Sequence, residues 1–239
     1  MTNFGDMVTQ FGGAPTLSGV PFGMKSKYYF VDPTNGVDTN DGKSLESARK
    51  TLAGGEDLMV ANQHDTLFYV APSSATASAD YDIAATLTWD KNLTHVIGIG
   101  APTMVGQRAR IFQAPGNLDI SPMIDVTASG CSFRNLYLFQ GVDDADALLN
   151  VRVTGSRNYF ENVHFAGGGH ATQAIDGGAS LNISSGMENT FVNCTIGVDT
   201  IAAATGMVAL LINGTGGGRN IFRGCHFTLK AGNAGAAFI

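Results

Sequence analysis

Four stretches of the chain align on a phenylalanine: Gly130-Cys-Ser-Phe133-Arg-Asn135-Leu-Tyr-Leu138, Arg157-Asn-Tyr-Phe160-Glu-Asn162-Val-His-Phe165, Glu188-Asn-Thr-Phe191-Val-Asn193-Cys-Thr-Ile196 and Arg219-Asn-Ile-Phe222-Arg-Gly224-Cys-His-Phe227. The phenylalanines lie 27, 31 and 31 residues apart. A short apolar run precedes each unit: Met123-Ile-Asp-Val126, Leu148-Leu-Asn-Val151, Leu181-Asn-Ile183 and Leu210-Leu-Ile212. A Gly/Ala-rich stretch of variable length follows each. Two or three short strands per ~30 residues, repeated in register, predict the coils of a parallel β-solenoid. Coils stacked about 4.8 Å apart turn equivalent residues into columns.

Counting from the phenylalanine, positions 0, +3 and +5 are apolar in all four units, with the small Cys194 and Cys225 at +3. These columns are expected to face inward. Position +2 reads Asn135, Asn162, Asn193, Gly224, which suits a tight turn with a stacked row of amides. Positions +1 (Arg134, Glu161, Val192, Arg223) and +4 (Tyr137, His164, Thr195, His226) are expected to face outward. Composition agrees with a turn-rich β protein. Glycine is 31 of 239 residues, against the usual ~7%, and charged residues are 14%, against about 25%.

Upstream, three segments precede the repeats. Residues 1–27 read as an extended arm, with loop punctuation at Gly12-Gly13-Ala14-Pro15 and around Pro21. Phe4, Met7, Val8, Phe11, Leu17 and Phe22 are many apolar residues for a solvated tail, so the arm is expected to dock on a partner. Residues 28–64 hold an opening strand (Tyr28 to Pro33), a polar turn and a short capping helix over Ser44 to Leu52, with Ser44 and Ser47 as possible N-caps and Asp57 to Val60 extending or following it, so that the cap covers about residues 44–60. Residues 65–239 are the solenoid body, beginning with a strand from Asp65 to Pro72.

The net charge of −6 argues against a nucleic-acid binder. There is no apolar run of about 18 residues to span a membrane and no ordinary secretory leader at Met1 to Asp6. Three cysteines (Cys131, Cys194, Cys225) are too few for a disulfide framework or a zinc site. Cys194 and Cys225 fall on neighbouring coils, and reduced thiols in the core are expected there.

The repeated Asn-x-Phe-x-Asn-x-x-apolar unit, at Asn158 to Phe165 and Asn189 to Ile196, resembles right-handed parallel β-helix proteins of the pectate-lyase-like superfold. So does the opening segment Tyr29-Phe-Val-Asp32-Pro-Thr-Asn-Gly36-Val-Asp38-Thr-Asn40-Asp41-Gly42 through Ala48-Arg-Lys-Thr51-Leu52. It is similar to the start of β-helix domains in polysaccharide-active enzymes and phage virion proteins, where a short helix caps the first coil. The resemblance covers roughly residues 28–239. It implies an all-β right-handed parallel β-helix and leaves activity open, because the superfold carries lyases, hydrolases, epimerases, tailspikes and inert fibres.

Lyases of this kind hold Ca²⁺ with several carboxylates on adjacent rungs, because the ion takes 6–8 oxygens. The outward columns offer only Glu161, beside Arg134, and that reads as a surface ion pair. His164 and His226 would sit two rungs apart, roughly 9.6 Å, too far to share a metal, and read as solvated histidines. The acidic groups of the variable loops are Asp143, Asp144 and Asp146, then Asp176, then Asp199; Asp143-Asp144-x-Asp146 is the densest cluster and could bind Ca²⁺ or meet Asp176 from the next coil. If the protein is an enzyme, Asp143, Asp144, Asp176 and His170 are its candidate catalytic residues, with His170 a possible base beside Asp176. The simpler reading is solvated turns. Asp38-Thr-Asn40-Asp41-Gly42 superficially resembles a calcium loop, but it lacks the oxygen ligand where Gly42 falls and a downstream bidentate Glu. Asx turns account for it. Trp89 is the single tryptophan, and Tyr137 is one aromatic that could serve a small sugar site. No metal and no cofactor are expected.

The last coil, ending Ala231-Gly-Asn-Ala-Gly-Ala-Ala-Phe-Ile239, shows no polar cap, so a covering partner or further chain is expected. Three hypotheses follow. The first is a phage virion structural protein, made in the host cytoplasm: a capsid decoration protein, head fibre or tail spike. Its arm would anchor a trimeric β-helix body to capsid or tail proteins. The second is a polysaccharide lyase or glycoside hydrolase acting as a capsule depolymerase. The third is a non-catalytic module binding a host glycan. The balance leans away from catalysis.

Overall fold

The computed structural model describes residues 25–71, 83–103, 108–215 and 217–239. Nearly all regular structure is parallel β. The first sheet stacks seven strands in the order β1 (Tyr28–Val31), β2 (Thr66–Val70), β4 (His95–Ile99), β7 (Ser132–Arg134), β10 (Tyr159–Glu161), β13 (Thr190–Val192) and β17 (Ile221–Arg223). A second holds β5 (Ala109–Phe112), β8 (Leu136–Phe139), β11 (His164–Ala166), β14 (Thr195–Ile196) and β18 (His226–Phe227). A third holds β3 (Leu87–Trp89), β6 (Ile124–Val126), β9 (Leu149–Val153), β12 (Ala179–Ser184) and β16 (Val208–Asn213). A short pair, β15 (Ala202–Ala203) and β19 (Lys230–Ala231), lies outside these three. Each pass through the three faces is one coil.

The aligned phenylalanines are paired neighbours: Phe133, Phe160, Phe191 and Phe222 occupy one register. Their rings stack at 4.9, 4.7 and 4.7 Å, within 9° of parallel. That spacing is the strand spacing itself, so the backbone ladder dictates the ring stack. Trp89 closes the stack edge-on to Phe133 at 5.3 Å. The +3 and +5 columns (Leu136, Val163, Cys194; Leu138, Phe165, Ile196) complete this core. The apolar run before each unit becomes a strand of the third sheet.

The +2 column forms a corner of one or two residues between the first and second sheets. Asn135, Asn162, Asn193 and Gly224 have φ of 54°, 51°, 51° and 62°. Asn and Gly tolerate this left-handed region best. Asn162 Nδ2 donates to Asn135 Oδ1 at 2.9 Å, and Asn135 Nδ2 reaches the Gly98 and Gly100 carbonyls. A second ladder runs at position −2. Asn158 Oδ1 accepts from Cys131 N, Asn189 Oδ1 from Asn158 N, and Asn220 Oδ1 from Asn189 N, each at 2.9 Å. Each amide thereby satisfies a backbone N–H of the coil before it, at a bend where strand pairing lapses.

The capping helix begins later than expected. Residues 44–50 are not helical, because Arg49 is drawn alongside β1: Arg49 N donates to the Phe30 carbonyl and Asp32 N to the Arg49 carbonyl. The hydroxyls of Ser44 and Ser47 pair with each other, and Ser47 reaches Asp41. Helix α1 spans Leu52–Leu58, with Thr51 as N-cap accepting from Gly54 N. Asp38 organises this start by accepting from the backbone N–H groups of Lys50 and Thr51 and from the Thr51 hydroxyl. A Cβ at Gly55 would collide with Val31 and Leu67, so glycine sets how closely the helix seats on β1 and β2.

The +4 column also differs from expectation. Tyr137, His164 and Thr195 are buried, and only His226, on the last described coil, is exposed. Residues 197–200 fold over this face, and His164 Nε2 bonds to the Gly197 carbonyl at 2.9 Å. In the +1 column Arg134, Glu161 and Val192 are half-buried and Arg223 is exposed, and Arg134 meets Glu161 at 3.5 Å as expected. Residues 1–24, with Phe4, Met7, Val8, Phe11, Leu17 and Phe22, lie outside the described residues.

Candidate functional site

Three successive loops from the second sheet to the third, over residues 113–123, 140–148 and 167–178, stack along one edge of the solenoid. Asp119, Asp144 and Asp146 converge there, with one carboxylate oxygen of each within 4.8 Å of the others. Asp144 is the organiser. Its Oδ2 accepts from Asp119 N at 2.6 Å and its Oδ1 from Asp146 N at 3.0 Å. Beside it, Asp143 Oδ1 accepts from the Thr172 hydroxyl at 3.1 Å and lies 3.5 Å from His170 Nδ1. His170 Nδ1 is also 2.7 Å from the Thr172 hydroxyl.

The candidate residues therefore divide into two adjoining groups. Asp143 is the carboxylate beside His170. Asp176, exposed, lies against Gly206 of the next coil, where a Cβ would strike its carboxylate. Asp199 is exposed at the rim of a recess lined by Tyr137, His164, Thr200 and His226. Tyr137 stands under Arg110, whose guanidinium lies 4.8 Å from its ring centre, and is too buried to offer a stacking face. Asp119 was not legible as a partner of Asp144. The available signal was its position in the loop one coil earlier. The Asp38 segment behaves as Asx turns, its carboxylates engaged by backbone N–H groups as described above, and Asp41 accepts from Lys43 N and the Ser47 hydroxyl.

The outer face of the first sheet carries a second polar group. His95 is buried, with Nδ1 at 2.8 Å from Ser132 Oγ and Nε2 at 3.2 Å from His64 Nδ1. Arg134 and Glu161 pair alongside, and the Arg134 guanidinium lies 5.1 Å from the Tyr159 ring centre. Burial, reinforced by His64 and Arg134, pushes His95 down to about 3. Burial likewise pushes His164 down to about 4, against the opposing pull of the Gly197 carbonyl. Both imidazoles are neutral at pH 7. An imidazole this weakly basic is a poor general base for the Ser132 hydroxyl at neutral pH, so the Ser132–His95 contact does not amount to an activated nucleophile. The thiols of Cys131, Cys194 and Cys225 are free.

These features define a parallel β-helix with three loops stacked along one edge. The chain is similar to the crystal structure of pectate lyase Pel9A, with a TM-score of 0.53 and 19% identity over 87% of this chain and 48% of that one. It is also similar to a rhamnogalacturonan lyase, with a TM-score of 0.50 and 18% identity over 83% of this chain and 51% of that one. The chain thus spans about half the length of each. No family model matches the chain, and no curated protein matches it.

Proposed function

We propose that the chain is a structural β-helix of a virion, a spike, fibre or decoration body held to capsid or tail through residues 1–27 and assembled as a homotrimer. The observation that supports this reading is the engagement of the outward acid groups. Asp144 accepts two backbone N–H groups, Asp143 accepts the Thr172 hydroxyl, and Glu161 pairs with Arg134. These contacts stabilise loops and neighbouring coils. Deleting residues 1–27 tests the reading. Particle binding should be lost while the β-sheet circular dichroism and the melting of the body persist, and the body should remain trimeric by light scattering. Particle binding that survives the deletion refutes the anchoring role.

A second reading, a lyase or hydrolase acting on an acidic polysaccharide, is favoured by the convergence of Asp119, Asp144 and Asp146 beside Asp143 and His170. It requires turnover on a panel of uronate polymers that falls at least tenfold in Asp144→Ala. Binding on a glycan array without turnover would instead mark a non-catalytic module.

A further inference from the structure

Two imidazoles meet nitrogen to nitrogen on the outer face of the first sheet. His64 Nδ1 and His95 Nε2 are 3.2 Å apart, with the ring planes 8° from parallel. His95 projects from β4 and is 1% exposed. His64 comes from the loop before β2 and is half-buried. Its φ of 60° is a conformation uncommon for a residue other than glycine, of the kind that gathers at functional positions. This backbone brings its ring against that of His95.

We propose that His64 and His95 form a two-histidine site for one divalent transition-metal ion of the zinc, nickel or copper class. Two imidazole nitrogens, each about 2.0–2.1 Å from a tetrahedral ion, lie roughly 3.3–3.4 Å from one another. The observed 3.2 Å is close to that separation, and a turn of the half-buried His64 ring would aim its lone pair at the ion. The other nitrogen of His95 is held by Ser132 Oγ at 2.8 Å, the kind of outer contact that fixes the tautomer and orientation of a metal-binding histidine. With His95 protonated at Nδ1, its Nε2 lone pair faces His64. Binding then needs a tautomer change at His64, from Nδ1–H to Nε2–H, and no net loss of a proton.

Imidazole donors suit this class of ion, whereas calcium and magnesium require oxygen ligands. The nearest cation, Arg134, opposes a bound ion, but its charge is shared with Glu161. Arg134 is paired with Glu161 and lies over Tyr159. The Asp65 carboxylate accepts from the backbone N–H groups of Lys27 and Val60. Among the described residues, the one group of three or more candidate ligands is Asp119, Asp144 and Asp146. The histidine pair therefore supplies two protein ligands, and water takes the remaining positions through the half-buried His64 side. A bound ion would tie the loop before β2 to β4 and so staple the first coils together.

The test is calorimetric titration of the metal-free full chain, carrying no histidine tag, with Zn²⁺ and separately Ni²⁺. One ion per chain is expected, together with a rise in melting temperature. His64→Ala should abolish both, and it leaves the buried His95 side chain with its Ser132 contact. Ser132→Ala should weaken affinity about 10–100-fold. His226→Ala should bind as the parent does. With Cu²⁺, the electron paramagnetic resonance spectrum should show two nitrogen ligands. Absence of uptake by the parent chain, or equal uptake by His64→Ala, overturns the proposal.

Discussion

Acid should unfold this solenoid through two buried histidines. His95 and His164 hold folded-state values of about 3 and about 4, against about 6.5 for a free imidazole. A depressed histidine contributes its full stability above the unfolded value and loses it as pH falls. Below about 6.5 the unfolded chain gains protons at both sites that the folded chain refuses. Each such histidine costs about 1.4 kcal/mol per pH unit, so the pair costs about 3 kcal/mol per unit and about 5 kcal/mol between pH 6.5 and 4.5. A domain's whole stability is about 5–15 kcal/mol, so this loss is large. Glu56 works the other way: its carboxyl is raised by burial, with Lys91 opposing, and it favours the folded state as it takes up a proton. The assay is urea unfolding at pH 7.5, 5.5 and 4.5. His164→Gln keeps a donor near the Gly197 carbonyl, and His95→Asn keeps a partner for Ser132. Each variant should remove about half of the pH slope between 6.5 and 4.5. A slope unchanged in both variants refutes the reasoning.

Two further outcomes probe the columns. Phe160→Ala removes a ring that is 1% exposed and stacked on both sides, and should cost about 3–5 kcal/mol by urea unfolding, whereas half-buried Phe222 has a single stacked neighbour and should cost clearly less. Asn189→Ala strands the Asn158 N–H in a buried bend and should cost about 1–3 kcal/mol, with faster hydrogen exchange at that amide.

The columns were legible because strand pairing converts a sequence interval into a spatial neighbour. Phe133, Phe160, Phe191 and Phe222 could be placed from spacing alone, and so could the Asn corner. What spacing does not carry is the path of the loops. The +4 column has outward polarity, yet residues 197–200 cover His164 and the buried Arg108 side chain reaches Thr195. The helix begins later than Ser44 for a similar reason. Ser44 and Ser47 have the chemistry of N-caps, but the open edge of β1 captured Arg49 first and delayed the helix to Thr51. The pairing of His64 with His95 was hidden in the same way, because it depends on a left-handed residue in an irregular loop.

At Asn135, Asn162, Asn193 and Gly224 only one or two residues separate the strands of the first and second sheets, whereas one coil earlier the same corner holds residues 100–108 between β4 and β5. The opposite edge is different: the segments from Phe112 to Ile124, Phe139 to Leu149 and Ala166 to Ala179 differ in length from coil to coil. Sequence added there would project from one side while the stacked columns kept their register. The molecule is therefore asymmetric in its capacity to change. One edge stays tight through four successive coils, and the other is a row of docking ports where foreign peptides could be grafted coil by coil without altering the frame that carries them.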